Sequence, residues 1–240
     1  LQKGAPLGVP FFIQETTLSS LLFDPMTVPV QSVAGEAALG VERLDSDWLR
    51  ARLANPPQWT PEANDEQRWR QITRAVRPAA VLIAIVQRAS GPTLLFTQRT
   101  ADLTDHPGQV SFPGGRVEES DRSPVETALR ETEEEIGLAR THVEIIGHLP
   151  DYQTGTGYCV TPVVGLVTPP FDLQPDAREV AEIFEVPLAF LMSGINHQRR
   201  TVELPGQAMR RTFYSIQYQR YFIWGATAAM LRNLFHLLRS

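Results

Sequence analysis

At 240 residues, 42% of them apolar, the chain is long enough for one domain with a sizeable core, with or without an extension. Its formal net charge of −5 argues against nucleic acid or an anionic membrane surface as the main partner. One cysteine, Cys159, excludes an internal disulfide framework, and the apolar run around it marks it as a buried small hydrophobe.

Residues 1–40 show no sustained period and contain Pro6, Pro10, Pro25 and Pro29, so they are read as mostly irregular. Prolines and polar residues interrupt the apolar pieces Phe11-Phe12-Ile13 and Leu18 to Phe23, and no signal peptide is expected. No stretch reaches the ~18 apolar residues a bilayer span requires. Ser46 to Ala54 reads as a short helix stopped by Asn55-Pro56-Pro57. A polar stretch to Pro78 follows, with Trp59 and Trp69 as candidate anchors. Ala79 to Val86 is an uninterrupted apolar run, the pattern of a strand buried on both faces. Ser90-Gly91-Pro92 then turns the chain into a strand over Thr93 to Arg99, giving a hairpin. Gly108 to Phe112 is a further short strand. Strands are also expected over Val143 to Leu149, Tyr158 to Val167, Glu182 to Val186, Thr212 to Tyr218 and Tyr221-Phe222, with a short helix from Pro187. Ala226, Met230, Leu231, Leu234, Phe235 and Leu238 recur at helical spacing and predict an amphipathic C-terminal helix.

The segment from Ser123 to Leu138 carries the strongest signal. Ser123-Pro124-Val125-Glu126 is a helix start, with Ser at the N-cap, Pro at the first helical position and Glu at N3. Gly137 stands where a helix end wants a left-handed residue. Val125, Ala128, Leu129, Thr132 and Ile136 form the inward stripe. Glu131, Glu133, Glu134 and Glu135 crowd the same helix, and Glu131, Glu134 and Glu135 fall at i, i+3 and i+4 on one face, directed away from the stripe. Like charges at that spacing cost roughly 0.2–0.5 kcal/mol per pair, and the helix dipole disfavours anions near its C-terminus. A divalent cation would offset both, because hard cations such as Mg²⁺ take oxygen ligands. The plainer alternative is a solvated acidic face. Glu133 points off that face and is expected to be solvated. Phe112-Pro113-Gly114-Gly115, just ahead, is read as a loop whose glycines let backbone carbonyls approach an ion.

These residues resemble the Nudix hydrolase box, Gly-x5-Glu-x7-Arg-Glu, a bulky apolar residue, x-Glu-Glu-x-Gly and a second bulky apolar residue. Gly115 opens it, and Arg130-Glu131-Thr132-Glu133-Glu134-Glu135-Ile136-Gly137-Leu138 closes it. Asp121 holds the position of the first Glu, eight residues instead of seven separate it from Arg130, and Thr132 replaces an apolar residue. The extra residue is expected to be absorbed in the loop before the N-cap. A second segment is similar to the coenzyme A pyrophosphatase branch, which carries Leu-Leu-Thr-x-Arg-Ser-x3-Arg-x3-Gly-x3-Phe-Pro-Gly-Gly. Here Leu95-Phe96-Thr97-Gln98-Arg99-Thr100 leads through Thr104 and Gly108 to Phe112-Pro113-Gly114-Gly115 with the spacing intact. Phe96, Thr100 and Thr104 depart from it, and Thr104 removes a cation.

The resemblance implies an α/β fold, the Nudix α/β/α sandwich with a mixed β-sheet, over residues 79–240, with residues 1–78 as an N-terminal extension. It implies the Gly115 carbonyl, Glu131, Glu134 and Glu135 as ligands of Mg²⁺ or Mn²⁺, with Glu131 and Glu134 catalytic and Glu134 open also to a general-base role. Glu179, just before the segment Val180 to Pro187, is the candidate base from a later loop. Arg99, Gly114, Gly115 and Arg130 are the implied substrate contacts, although Arg130 reads better as pairing with a helix glutamate to fix its rotamer. His106 sits in a turn composition, and Trp224-Gly225 reads as packing. The implied activity is metal-dependent hydrolysis of the coenzyme A diphosphate to 3′,5′-ADP and 4′-phosphopantetheine. Its rivals are another nucleoside diphosphate-linked substrate such as ADP-ribose or a nucleoside triphosphate, and a non-catalytic nucleotide sensor, which the intact glutamates disfavour. The expected partner is a small-molecule nucleoside diphosphate derivative in the cytoplasm, with no nucleic acid or membrane; a homodimer is compatible with this.

Overall fold

The computed structural model describes residues 23–62, 76–101, 107–203 and 210–240. Trp69, Thr104 and His106 lie outside the described residues. In chain order the main elements are β1 (Val30–Val33), α1 (Ser46–Ala54), β2 (Arg77–Val86), β3 (Thr93–Arg99), β4 (Val110–Ser111), β5 (Gly114–Arg116) and α2 (Pro124–Ile136). Then come β6 (Val143–His148), β7 (Tyr152–Gln153), β8 (Tyr158–Val167), β9 (Val180–Pro187), α3 (Leu188–Leu191), β10 (Gln198–Glu203), β11 (Arg210–Tyr218), β12 (Tyr221–Trp224) and α4 (Gly225–Arg239).

The apolar run of β2 forms the centre of a mixed sheet, paired in parallel with β8 along its whole length, from Arg77↔Tyr158 to Val86↔Val167. Alternation then sorts its side chains between two cores. Ala80, Leu82, Ala84 and Val86 pack with Ala128 and Ile136 of α2. Ile83 and Ile85 belong to the opposite core, with Leu49 and Leu53 of α1 and Leu231, Leu234 and Phe235 of α4. Helices on both faces of a mixed sheet make the expected α/β/α sandwich. A second, antiparallel sheet, ordered β1-β10-β11-β12, joins the α4 side.

The expected hairpin of β2 and β3 is short. The two strands pair only at Ile85↔Leu94 and Val86↔Thr93, then diverge. Residues 110–116 fill the fork. β4 hydrogen-bonds to β3 at Thr97↔Ser111 and Gln98↔Val110, and β5 to β2 at Ala79↔Arg116, Ala80↔Gly115 and Val81↔Gly114. Part of the Phe-Pro-Gly-Gly segment is thus strand and not loop, since unpaired backbone inside a fork would cost free energy. Gly114 adopts φ 148, and a Cβ there would lie 2.4 Å from the Ala80 carbonyl oxygen, so only glycine fits.

The reading of residues 1–40 as mostly irregular holds over the described residues 23–40, with one four-residue exception. Val30–Val33 pairs with β10, a strand the sequence did not reveal because Gln198–Glu203 has no apolar alternation. Arg50 on α1 makes a bidentate pair with Glu144 on β6, both bonds 2.8 Å. Arg232 of α4, 3% exposed, binds Glu36 at 2.8 Å and Glu62 at 2.9 Å. It also donates to Nδ1 of the buried His197 at 3.1 Å, which leaves the His197 Nε2–H to donate to the Leu191 carbonyl at 2.7 Å. Cys159 is half-buried, with Sγ 3.8 Å from Asp151, and not the fully buried hydrophobe expected. Trp224 packs edge-on against Phe213, as a packing role requires.

Candidate active site

The acidic helix begins and ends where its sequence says. The Ser123 hydroxyl accepts the Glu126 N–H at 3.3 Å, Pro124 opens the helix, and Gly137 closes it at φ 71. The Glu126 carboxylate reaches one residue further back than a capping box requires and accepts the Arg122 N–H at 2.7 Å. Thr132, where the family has an apolar residue, is buried and donates its hydroxyl to the Ala128 carbonyl at 2.6 Å, which removes the cost of burying it.

The three glutamates are not equivalent. Glu135 is only 6% exposed and turns inward, accepting the Gly114 N–H at 3.2 Å, whereas the sequence placed it on an outward face. Glu131 is half-buried against the loop. A Cβ on Gly115 would stand 2.4 Å from its carboxyl carbon, so the missing side chain is the space the carboxylate occupies. Glu134 lies at the rim, 59% exposed. Burial pushes the Glu135 carboxyl up to about 8; the Gly114 N–H and Arg99 oppose this, and the charges of Glu131 and Glu179 add to it. Burial also raises Glu131, with Arg130 opposing and Glu134 and Glu179 adding. Glu133 is correctly placed off the site but is not merely solvated. It accepts the Arg140 backbone N–H at 2.8 Å and pairs with the Arg140 guanidinium at 2.6 Å, fastening the chain beyond the helix end.

Arg130 spends all five N–H donors inside the protein. Nε and Nη2 grip Asp121 at 3.0 and 2.9 Å, Nη1 binds Glu131 at 3.1 Å and Glu134 at 2.9 Å, and Nη2 also reaches the Arg116 carbonyl at 3.1 Å. The expectation that Arg130 contacts substrate therefore gives way to the pairing role, because no donor is left for a phosphate. Asp121 is the anchor of this network, and sequence reasoning undervalued it. It also accepts the Thr127 hydroxyl and the Glu118 N–H, both at 2.9 Å. The Arg130 guanidinium holds the Asp121 carboxyl far below the usual carboxylate range. The extra residue of the box is absorbed in this turn, before the helix, so the acidic face keeps its angle.

Two further predicted residues reach the same place. The Gln174 and Asp176 N–H groups donate to the Ile136 and Glu135 carbonyls at 2.8 and 2.9 Å, docking the 174–179 segment on the end of α2. A turn closed by Glu179 N–H to the Asp176 carbonyl at 2.9 Å then sets the exposed Glu179 close enough to perturb Glu131 and Glu135. Arg99, at the end of β3, is near enough to Glu135 to lower it, and its buried Nε has no hydrogen-bond partner among the described residues.

Among the described residues no three Asp, Glu, His or Cys side chains already form a closed metal cage. The donor set nevertheless fits a hard divalent cation. The donors are all oxygens, the Glu135 carboxyl is forced into a site where burial opposes its ionisation, and Gly115 makes room for Glu131 beside the backbone. Mg²⁺ is commonly held by one or two carboxylates with waters and substrate phosphates, so a cradle open on one side is the form expected.

Residues 76–201 match the NUDIX domain family. A protein of Pectobacterium atrosepticum named uncharacterized Nudix hydrolase NudL is 42% identical over 160 residues, 66% of this chain and 81% of that protein. Its namesake in Escherichia coli K12 is 43% identical over 158 residues, with the same coverage of both chains. Among solved structures, an Ap4A hydrolase of C. elegans in binary complex matches with TM-score 0.41 and 21% identity, over 46% of this chain and 80% of its own. The MutT protein of Methanosarcina mazei Go1 matches with TM-score 0.41 and 21% identity, over 51% and 84%. The family match over residues 76–201 and the identity to the NudL proteins agree with the fork-held Gly-Gly segment and the capped acidic helix: the chain belongs to the Nudix family of hydrolases.

Proposed function

We propose that this hydrolase cleaves the diphosphate of coenzyme A or its derivatives, giving 3′,5′-ADP and 4′-phosphopantetheine or its acyl form. The observation that carries the reading is Arg99. It lies in the Leu95–Gly115 segment that resembles the coenzyme A branch, and it brings a cation with an unpartnered buried Nε to a site whose other cation, Arg130, is taken up by the protein's own carboxylates. An unpaired buried donor is costly, and a phosphate oxygen would satisfy it.

The Gly115 carbonyl, Glu131 and Glu135, with Glu134 at the rim, would hold Mg²⁺ or Mn²⁺. Such an ion screens phosphate charge and makes water more acidic. Arg99 orients one phosphate of the diphosphate. Arg130, anchored on Asp121, keeps Glu131 and Glu134 in their rotamers. Glu179, outside the helix, exposed and near enough to raise Glu131 and Glu135, is the candidate to take a proton from the attacking water; Glu134 is the other candidate for that role.

The alternative substrate is another nucleoside diphosphate-linked compound such as ADP-ribose, and relatives of the fold in the solved structures include an Ap4A hydrolase and an NrtR domain bound to ADP ribose. Kinetics with coenzyme A, ADP-ribose and a nucleoside triphosphate decide between them. Coenzyme A is expected to give the highest kcat/KM, with activity abolished by EDTA and restored by Mg²⁺ or Mn²⁺. Equal kcat/KM for coenzyme A and ADP-ribose refutes the substrate assignment, and full turnover in metal-free buffer refutes the metal.

A further inference from the structure

Beside the Gly115 segment two arginines share one tyrosine ring. Tyr158 opens β8 and is the register partner of Arg77, which opens β2. The Arg77 guanidinium lies 4.3 Å from the Tyr158 ring centroid. Arg116, the residue after Gly115, lies 5.4 Å from the same centroid and donates Nε–H to the Tyr158 hydroxyl at 2.8 Å. Arg116 pairs with Ala79, two residues on from Arg77, so period-two geometry puts both arginines on one face of the sheet.

Arg50, Arg88, Arg140, Arg178, Arg210 and Arg220 each form an ion pair. Arg77 and Arg116 have no carboxylate partner among the described residues. Among the described residues Arg77 makes a single long bond, 3.4 Å, to the Thr156 carbonyl, and Arg116 engages only its Nε, so most of their Nη donors find no partner there. Two like charges held together on a chain with 22 basic and 27 acidic residues call for an anion from outside.

The position says which anion. The backbone of Arg116 is fixed to the catalytic network by its carbonyl, which accepts from Arg130 at 3.1 Å. Gly115 turns its open side to Glu131, and alternation sends the next side chain, that of Arg116, to the opposite face. An anion there is separate from the diphosphate at Glu131 and Arg99, and the one-residue step from Gly115 to Arg116 joins the two positions. We propose that Arg77 and Arg116, splinted on Tyr158, bind a phosphomonoester that the substrate carries outside its diphosphate, such as the 3′-phosphate of coenzyme A. The assignment rests on the coenzyme A reading and deepens it: Arg99 serves the diphosphate, and this pair sets the preference over dephospho-coenzyme A.

The test compares kcat/KM for coenzyme A and dephospho-coenzyme A in the wild type and in Arg77→Ala, Arg116→Ala and Tyr158→Phe. Calorimetric titration with 3′,5′-ADP and 5′-AMP runs in parallel, and circular dichroism confirms folding. The wild-type ratio is expected to fall about tenfold in each arginine variant, the scale of one charge-assisted bond, through a raised KM for coenzyme A. Tyr158→Phe should lower it less, and the wild type should bind 3′,5′-ADP more tightly than 5′-AMP. Ratios unchanged in both arginine variants overturn the subsite. If the wild type cleaves other diphosphates but not coenzyme A, the proposed function fails, and the titration alone judges the subsite: preference for 3′,5′-ADP that Arg116→Ala abolishes sustains it, equal affinities overturn it.

Discussion

Replacing Asp121 by Asn tests the anchor of the catalytic helix. The Asp121 side chain is 5% exposed and that of Arg130 18% exposed, and two bonds of 3.0 and 2.9 Å join them. Asparagine keeps the shape but removes the charge and turns an NH₂ donor toward a guanidinium that can only donate. Breaking a buried pair by removing one partner costs about 3–5 kcal/mol. Arg130 still holds Glu131 and Glu134 and retains some solvent, so a loss of about 2 kcal/mol is the better figure, on the scale of one charge-assisted bond. For a chain of this size that lowers Tm by roughly 4–8 °C. Because the Asp121 carboxyl is depressed in the folded state, its contribution is fully present above the unfolded pKa of about 3.9 and is lost as pH falls below it. Denaturant unfolding of both proteins at pH 7 and at decreasing pH is the assay. The two stabilities should differ at pH 7 and converge only below about pH 4. Freed from Asp121, Arg130 competes with the metal for Glu131 and Glu134, so the metal concentration for half-maximal activity should rise while kcat at saturating metal falls less. A pH-independent difference, or a Tm shift below about 1 °C with unchanged metal dependence, refutes the anchor.

Glu135→Gln should lower kcat at least about a hundredfold, the scale of losing a key electrostatic group. In EDTA it should raise Tm, more at pH 8 than at pH 5, since the wild-type carboxyl is raised to about 8 and the stability it lends below its unfolded pKa is lost as pH rises. Glu133→Gln should leave kcat within about twofold and cost at most about 1 kcal/mol, because it breaks only a surface pair with Arg140; a hundredfold loss there would mean the wrong face is catalytic. Gly115→Ala should keep the fold, as its Cβ meets only the movable end of Glu131, yet cost about a hundredfold in kcat by displacing that carboxylate; wild-type kinetics would remove Glu131 from the site. Burial depresses His197 to about 4, so the unfolded chain binds the extra proton between pH 4 and about 6.5 and stability falls as pH drops through that window. Chemical denaturation of His197→Gln should show a flatter profile there, and an identical slope would refute the assignment.

What the sequence decided by itself was local. The N-cap Ser123, Pro124 and the left-handed Gly137 bound the helix because capping depends on residues a few positions apart. The apolar run of β2 and the periodicity of α4 were legible for the same reason, and the spacing from Leu95 to Leu138 carried the family resemblance. Tertiary structure decided what depends on distant partners. Glu135 turns inward because a Gly114 N–H, 21 positions earlier, is brought to it by the fork between β2 and β3. Glu62 comes against α4 through an N–H bonded to Asn233, 171 positions away, so the segment read as an extension is built into the core. Arg77 and Arg116 meet on Tyr158 only through strand register. Helical angle tells which residues share a face, but not which of them the sheet will bury; that follows from packing, and with it the difference between a ligand carboxylate, an anchor and a surface charge.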